Sequence, residues 1–133
     1  MGSSVTAMKL ASIRILTDDV PRLVQFYETL TGGTARWVTP AFGAVPAGQT
    51  EIAVTSPESL TLGNTPGVAE PRANRSLYLE FEVGDVDAEF ARAREALAPE
   101  VVLEPTTMPW GNRSALLRDP DGNLINLFRR PAA

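Results

Sequence analysis

The sequence contains neither cysteine nor histidine. Without cysteine no disulfide can staple the chain, so its 133 residues must hold together by packing alone. Without either residue no Cys/His zinc site can be built. The Ser-His-Asp and Cys-His catalytic arrangements are excluded, as is any histidine general base. Lysine is nearly absent as well: Lys9 is the only one among 12 basic residues, the rest being arginine. These 12 face 16 acidic residues for a net charge of -4, which argues against a nucleic-acid binder with its usual basic face. No apolar run approaches the roughly 20 residues that cross a bilayer, so no membrane partner is expected.

What remains is ordinary globular material, 44% hydrophobic and 21% charged, enough for one domain with a sizeable core. Residues 1–8 carry no apolar signal core and read as a disordered leader, leaving 9–133 as the domain. Residues 9–16 alternate and read as a strand. Asp19 then caps a helix with Pro21 in its first turn. Val20, Leu23, Val24, Tyr27 and Leu30 form its apolar stripe, and Gly32-Gly33 ends it.

The same pattern returns 66 residues later. Residues 76–83 alternate again, Asp85 stands where Asp19 stood, and Val86, Phe90, Ala93 and Leu97 form the second stripe before Pro99. Shorter strands follow each helix, about Ala35–Thr39, Gly43–Pro46 and Glu51–Ser56 in the first half. In the second half they are about Val101–Glu104, Ser114–Arg118 and Leu124–Arg129. Each half therefore reads β-α-β-β-β, the modules covering about 9–62 and 75–130. A Pro/Gly-rich stretch, 56–74, joins them and carries a short strand around Leu60–Leu62. Asp119-Pro120-Asp121-Gly122-Asn123 is a hairpin turn: proline presets one φ, aspartate accepts local N–H groups, and glycine tolerates positive φ.

This tandem repeat resembles the vicinal oxygen chelate superfamily of glyoxalases, bleomycin-resistance proteins and extradiol dioxygenases. The resemblance runs from Lys9 to Arg130. It rests on Asp19-Val20 with Phe26-Tyr27, on Glu82-Val83-Gly84-Asp85-Val86-Asp87, and on the Asp-Pro-Asp-Gly-Asn turn with Pro109-Trp110-Gly111 before it. It implies an α+β fold: two tandem βαβββ modules forming a cupped mixed sheet, with helices on the outer face. It also implies a homodimer whose cleft is shared between chains.

In the metal-dependent members, histidine stands on the first strand of each module and glutamate on the last. Those positions here hold Ser12, Tyr78 and Asn126, which are poor ligands at neutral pH. The resemblance thus points away from the metalloenzymes, with no metal and no cofactor expected, and most nearly to the metal-free antibiotic-binding branch.

Strand alternation puts Ser12, Arg14 and Leu16 on the cleft side, with Tyr78, Glu80 and Glu82, and with Leu124, Asn126 and Phe128. Ile13, Ile15, Leu77, Leu79, Phe81 and Val83 then face the core. Arg14 and Glu80 hold equivalent positions in the repeat and are expected to meet as an ion pair at the cleft floor. Trp37, Phe42 and Trp110 add aromatic surface. Burying one ring face of about 150 Å² supplies roughly 4 kcal/mol before association costs. The candidate ligand-binding set is Ser12, Arg14, Trp37, Phe42, Tyr78, Glu80, Trp110, Asn126 and Phe128, with no catalytic residue assigned.

The expected function is cytoplasmic sequestration of a planar aromatic antibiotic or natural product, for self-resistance. One alternative is a metal-independent isomerase or lyase using Glu80, Glu82 or Tyr78 as acid or base. Another is an enzyme holding a divalent metal among oxygens, with Glu51 joining Glu80 and Glu82.

Overall fold

Each apolar stripe folds onto its own sheet. The computed structural model describes residues 8–61, 67 and 69–132. Sheet 1 has the order β1-β4-β3-β2 and sheet 2 the order β5-β8-β7-β6. Sheet 1 comprises β1 (Ser12–Leu16), β2 (Arg36–Thr39), β3 (Phe42–Ala47) and β4 (Thr50–Thr55). Sheet 2 comprises β5 (Tyr78–Glu82), β6 (Glu100–Thr107), β7 (Arg113–Arg118) and β8 (Leu124–Arg129). In each, the first strand pairs parallel with the last and the other pairs are antiparallel. The fold is α+β and consistent with two tandem βαβββ modules of the glyoxalase type.

Helix α1 (Val20–Thr31) starts where the Asp19 carboxylate accepts the Arg22 N–H, and ends at Gly32 in the left-handed region. Helix α3 (Val86–Leu97) is capped the same way by Asp85. Between the modules, α2 (Pro57–Thr61) occupies most of the span expected as a strand around Leu60–Leu62. Proline is suited to a first helical turn, and Ser56 accepts the Ser59 N–H, so local capping outweighs the apolar residues. Leu62 and residues 1–7 of the expected leader lie outside the described residues. Among the described residues no helix is long and apolar enough to cross a membrane.

The two stripes merge into one core that includes Leu23, Val24, Tyr27, Phe90, Leu117 and Ile125. Leu77, expected in that core, lies just before β5 and is 54% exposed. It precedes the strand whose pleat would have turned it inward.

A buried hydrogen bond also links the modules. The Tyr27 hydroxyl on α1 donates to Asp119 Oδ2 at 2.6 Å, across the chain in the β7–β8 turn. Asp119 also accepts the backbone N–H groups of Asp121 and Asn123 and the Asn123 side-chain amide. A buried carboxylate with four donors is stable where a bare one is not. Gly122, at φ 89°, lets the turn close around it. Nearby Arg22 reaches the buried Asp121 at 3.1 Å, and Arg92 on α3 caps the Thr29 and Leu30 carbonyls of α1.

Burial, followed by the adjacent Asp119 charge, holds the Tyr27 hydroxyl protonated well above the usual phenol range. Its contribution is therefore present in full below pH ~10, where the unfolded phenol ionises, and declines as pH rises beyond that. Tyr27→Phe should cost about 1–3 kcal/mol, because Asp119 loses a buried donor. The loss of stability above pH ~10 should also shrink in the variant. Urea unfolding across that pH range checks both, and an unchanged midpoint in the variant would contradict the assignment.

Candidate functional site

Register decides which side chains share a face. In sheet 1, Arg14, Ala53, Ala44 and Arg36 form one row across all four strands. The two alanines are buried between the arginines. Arg14 lies over the Phe42 ring, 4.2 Å from its centre, and Arg36 pairs with Glu51 at 3.3 Å. Ser12 is on the same face, beside Glu51.

Trp37 is not with them. It pairs with Gly43, and a Cβ at Gly43 would meet both Trp37 and Val24 of α1 within 3.2 Å. The indole therefore packs on the helix side of the sheet, in space that only glycine leaves.

The corresponding face of sheet 2 carries Tyr78, Glu80 and Glu82 on β5, beside Leu124, Asn126 and Phe128 on β8. The Asn126 amide donates to Glu80 Oε2 at 3.0 Å. That geometry leaves Asn126 Oδ1 buried without a partner. Arg130 pairs with Glu82 and lies over the Phe128 ring. Asn126 and Phe128 are both buried, while Tyr78 is 47% exposed.

Arg14 and Glu80 do not meet. One is stacked on Phe42 and the other holds Asn126. Among the described residues no hydrogen bond or ion pair joins the two faces. Pairwise symmetry in sequence placed them at equivalent positions, but the modules dock through α1, α3 and the β7–β8 turn, which leaves the faces apart. Glu51 is likewise held by Arg36, away from Glu80 and Glu82.

Trp110 projects from the β6–β7 loop and is 69% exposed. The loop is fastened below it: Arg113 donates to both oxygens of Asp87 and to the Thr107 hydroxyl. The Asp87 carboxyl is held below the usual carboxylate range, chiefly by its hydrogen bonds from Arg113.

Two of the cavities that border the site lie along edge strands and draw on distant segments, so neither is visible in the strand pattern. One of about 200 Å³ lies between β1 and the chain entering β5, lined by Ile13, Ile15, Leu77, Leu79, Arg72 and Asn123 among others. Arg72, itself at φ 62°, bonds Asp18 at 2.6 Å beside it. The second, about 490 Å³, follows β5 and is lined by both modules. Its walls include Leu30 to Gly33 at the end of α1, the β3–β4 turn, Glu80, Glu82 and Glu89.

Residues 9–127 match the family described as the Glyoxalase/Bleomycin resistance protein/Dioxygenase superfamily, and the chain belongs to it. An uncharacterized Bacillus subtilis (strain 168) protein, YraH, is 29% identical over 126 residues, covering 92% of this chain and 98% of its own. Two solved structures share the fold. One is a glyoxalase/bleomycin resistance protein/dioxygenase family enzyme from Burkholderia phytofirmans PsJN, with TM-score 0.81 and 21% identity over 92% of this chain and 98% of that one. The other is TioX from Micromonospora sp. ML1, with TM-score 0.70 and 20% identity over 92% and 99%.

The metal that some members of this fold hold does not fit here. Ser12 and Tyr78 offer neutral hydroxyls, and Asn126 has its amide committed to Glu80. Among the described residues no three His, Cys, Asp or Glu side chains are grouped as a metal would need.

Arg113→Ala should return the Asp87 titration upward to the ordinary value near ~3.9. It should also free the Trp110 loop. The depressed group contributes stability at neutral pH that is lost as pH falls through its folded-state value, and that acid dependence should diminish in the variant. Carboxyl NMR titration checks the first point; a normal Asp87 titration in the unaltered protein would overturn it.

Proposed function

We propose that this protein binds a small molecule without a metal and without converting it. The carrying observation is the Asn126–Glu80 pair: at a position where metal-dependent relatives have a ligand, the amide nitrogen faces a carboxylate. The other two such positions hold Ser12 and Tyr78. Glu82 is similarly engaged by Arg130, which leaves neither glutamate a free base beside an obvious proton donor.

The ligand class in this reading is a planar aromatic natural product, held for self-resistance in the cytoplasm. Trp110, Tyr78 and Phe42 offer ring surface, and Arg14 offers polar contacts from its stacked position. A second copy of the chain completes the cleft by laying the sheet 1 face of one over the sheet 2 face of the other. Supporting this, the faces are apart within one chain, β1 and β5 are edge strands, and Leu10, Leu77 and Tyr78 are left exposed.

Titration with a panel of planar aromatic antibiotics tests the reading. At least one should quench Trp110 fluorescence, raise the melting temperature and be recovered chemically unchanged. Trp110→Phe should remove most of the quench and weaken binding by about tenfold, the worth of one lost stacking partner. Recovery of an altered compound after incubation would replace sequestration with catalysis.

A further inference from the structure

Tyr78, Leu124, Arg118 and Glu100 stand in one register row across β5, β8, β7 and β6. Residues in register share a face, so Arg118 lies on the same side of sheet 2 as Tyr78. The chain entering β5 brings Asn74, Arg75 and Ser76 beside them, and a further cavity of about 180 Å³ is lined there. That volume is below the roughly 300 Å³ at which drug-sized sites begin, and suits one small charged group. Among the described residues no carboxylate lines it.

Its polar wall offers donors. The Asn74 oxygen accepts both the N–H and the hydroxyl of Ser76, which leaves the amide nitrogen as the open end of that side chain. Arg118 gives one N–H to the Gly122 carbonyl at 2.9 Å, and Glu100 approaches its Nε at 3.6 Å without lining the cavity. The Gly122 contact orients a guanidinium whose other N–H groups make no hydrogen bond among the described residues. Arg75 is the sharper observation. Each of the other ten arginines meets a carboxylate, a carbonyl or an aromatic ring. Arg75 meets none among the described residues, in a chain whose net charge is -4. The carboxylates further along β5 already have partners, Asn126 for Glu80 and Arg130 for Glu82.

We propose that this cavity takes the phosphate end of a small phosphomonoester. Such a group carries close to two negative charges at neutral pH, matching the two guanidinium groups. Arg75 and Arg118 give it charge-assisted hydrogen bonds, and the Asn74 amide and Tyr78 hydroxyl add neutral donors. The rest of the molecule lies along the face that continues from Tyr78. This rests on the small-molecule-binding reading and specifies the charge at one end of the ligand.

Calorimetric titration of the full-length protein at fixed ionic strength tests it with three probes that share a phenyl ring: phenyl phosphate, benzoate and benzylamine. Phenyl phosphate should bind about tenfold tighter than either of the others, inorganic phosphate should displace it, and added salt should weaken it. Arg75→Gln and Arg118→Gln should each lower its affinity about tenfold. Arg94→Gln on α3, where the arginine pairs with Glu104, should change nothing. The order of the three probes in the unaltered protein is itself a readout, so the test survives a variant that fails to fold. Equal or tighter binding of benzoate or benzylamine, no binding of phenyl phosphate, no competition by inorganic phosphate, or an unchanged affinity in a folded Arg75→Gln protein overturns the proposal. These measurements read the anion site alone. Conversion of an aromatic antibiotic would remove the sequestration reading and leave this one standing, and loss of the phosphate preference would leave aromatic binding standing.

Discussion

The hydrogen bond from Tyr27 to Asp119 is the contact on which the arrangement of the molecule depends. It links a helix of the first module to a turn of the second. It also explains why both residues tolerate burial. The phenol finds an acceptor, and the carboxylate finds four donors in the interior. Arg22 with Asp121, and Arg92 with the end of α1, reinforce the same junction from either side. A chain without disulfides thus replaces covalent stapling with a small polar network set in an apolar core.

That docking has a functional consequence. Because the modules meet through α1, α3 and the β7–β8 turn, the sheet faces that carry Arg14 and Glu80 are separate within one chain. Each then finds a local partner of a different kind. Arg14 lies on an aromatic ring, and Glu80 accepts from an amide. The face of sheet 1 is cationic and built over two alanines, while that of sheet 2 and its adjoining cavity is rich in acceptors. An assembly that brought these surfaces together would enclose opposite charges around one ligand. Among the described residues no three His, Cys, Asp or Glu side chains cluster on these surfaces as a divalent ion would require.

Much of the fold was legible in the residues. The Asp19 and Asp85 caps, the apolar stripes, the Gly32 end of α1 and the Asp-Pro-Asp-Gly-Asn turn are short-range features whose chemistry is complete within a few positions. The segment around Leu60 is ambiguous in the sequence because leucine is compatible with either element, and the Ser56 cap with Pro57 in the first turn decides for helix. Trp37 is expected to add aromatic surface to the ligand site. Its partner Gly43 is a space left for it on the other side. The cavity along β5 had no sequence signature, since its walls come from the end of α1, the β3–β4 turn and β5 together.

By itself the sequence determined the α+β class, the repeated βαβββ order and which residue types stand on each strand face. Those properties follow from periodicity and turn chemistry, which act over a few residues. Only the tertiary structure decided who meets whom: Tyr27 with Asp119, Arg14 with Phe42, Glu80 with Asn126. The physical reason is that an internal repeat specifies equivalent positions but not the docking of one copy on the other. That docking is set by the few buried polar groups that must find partners once the apolar faces close.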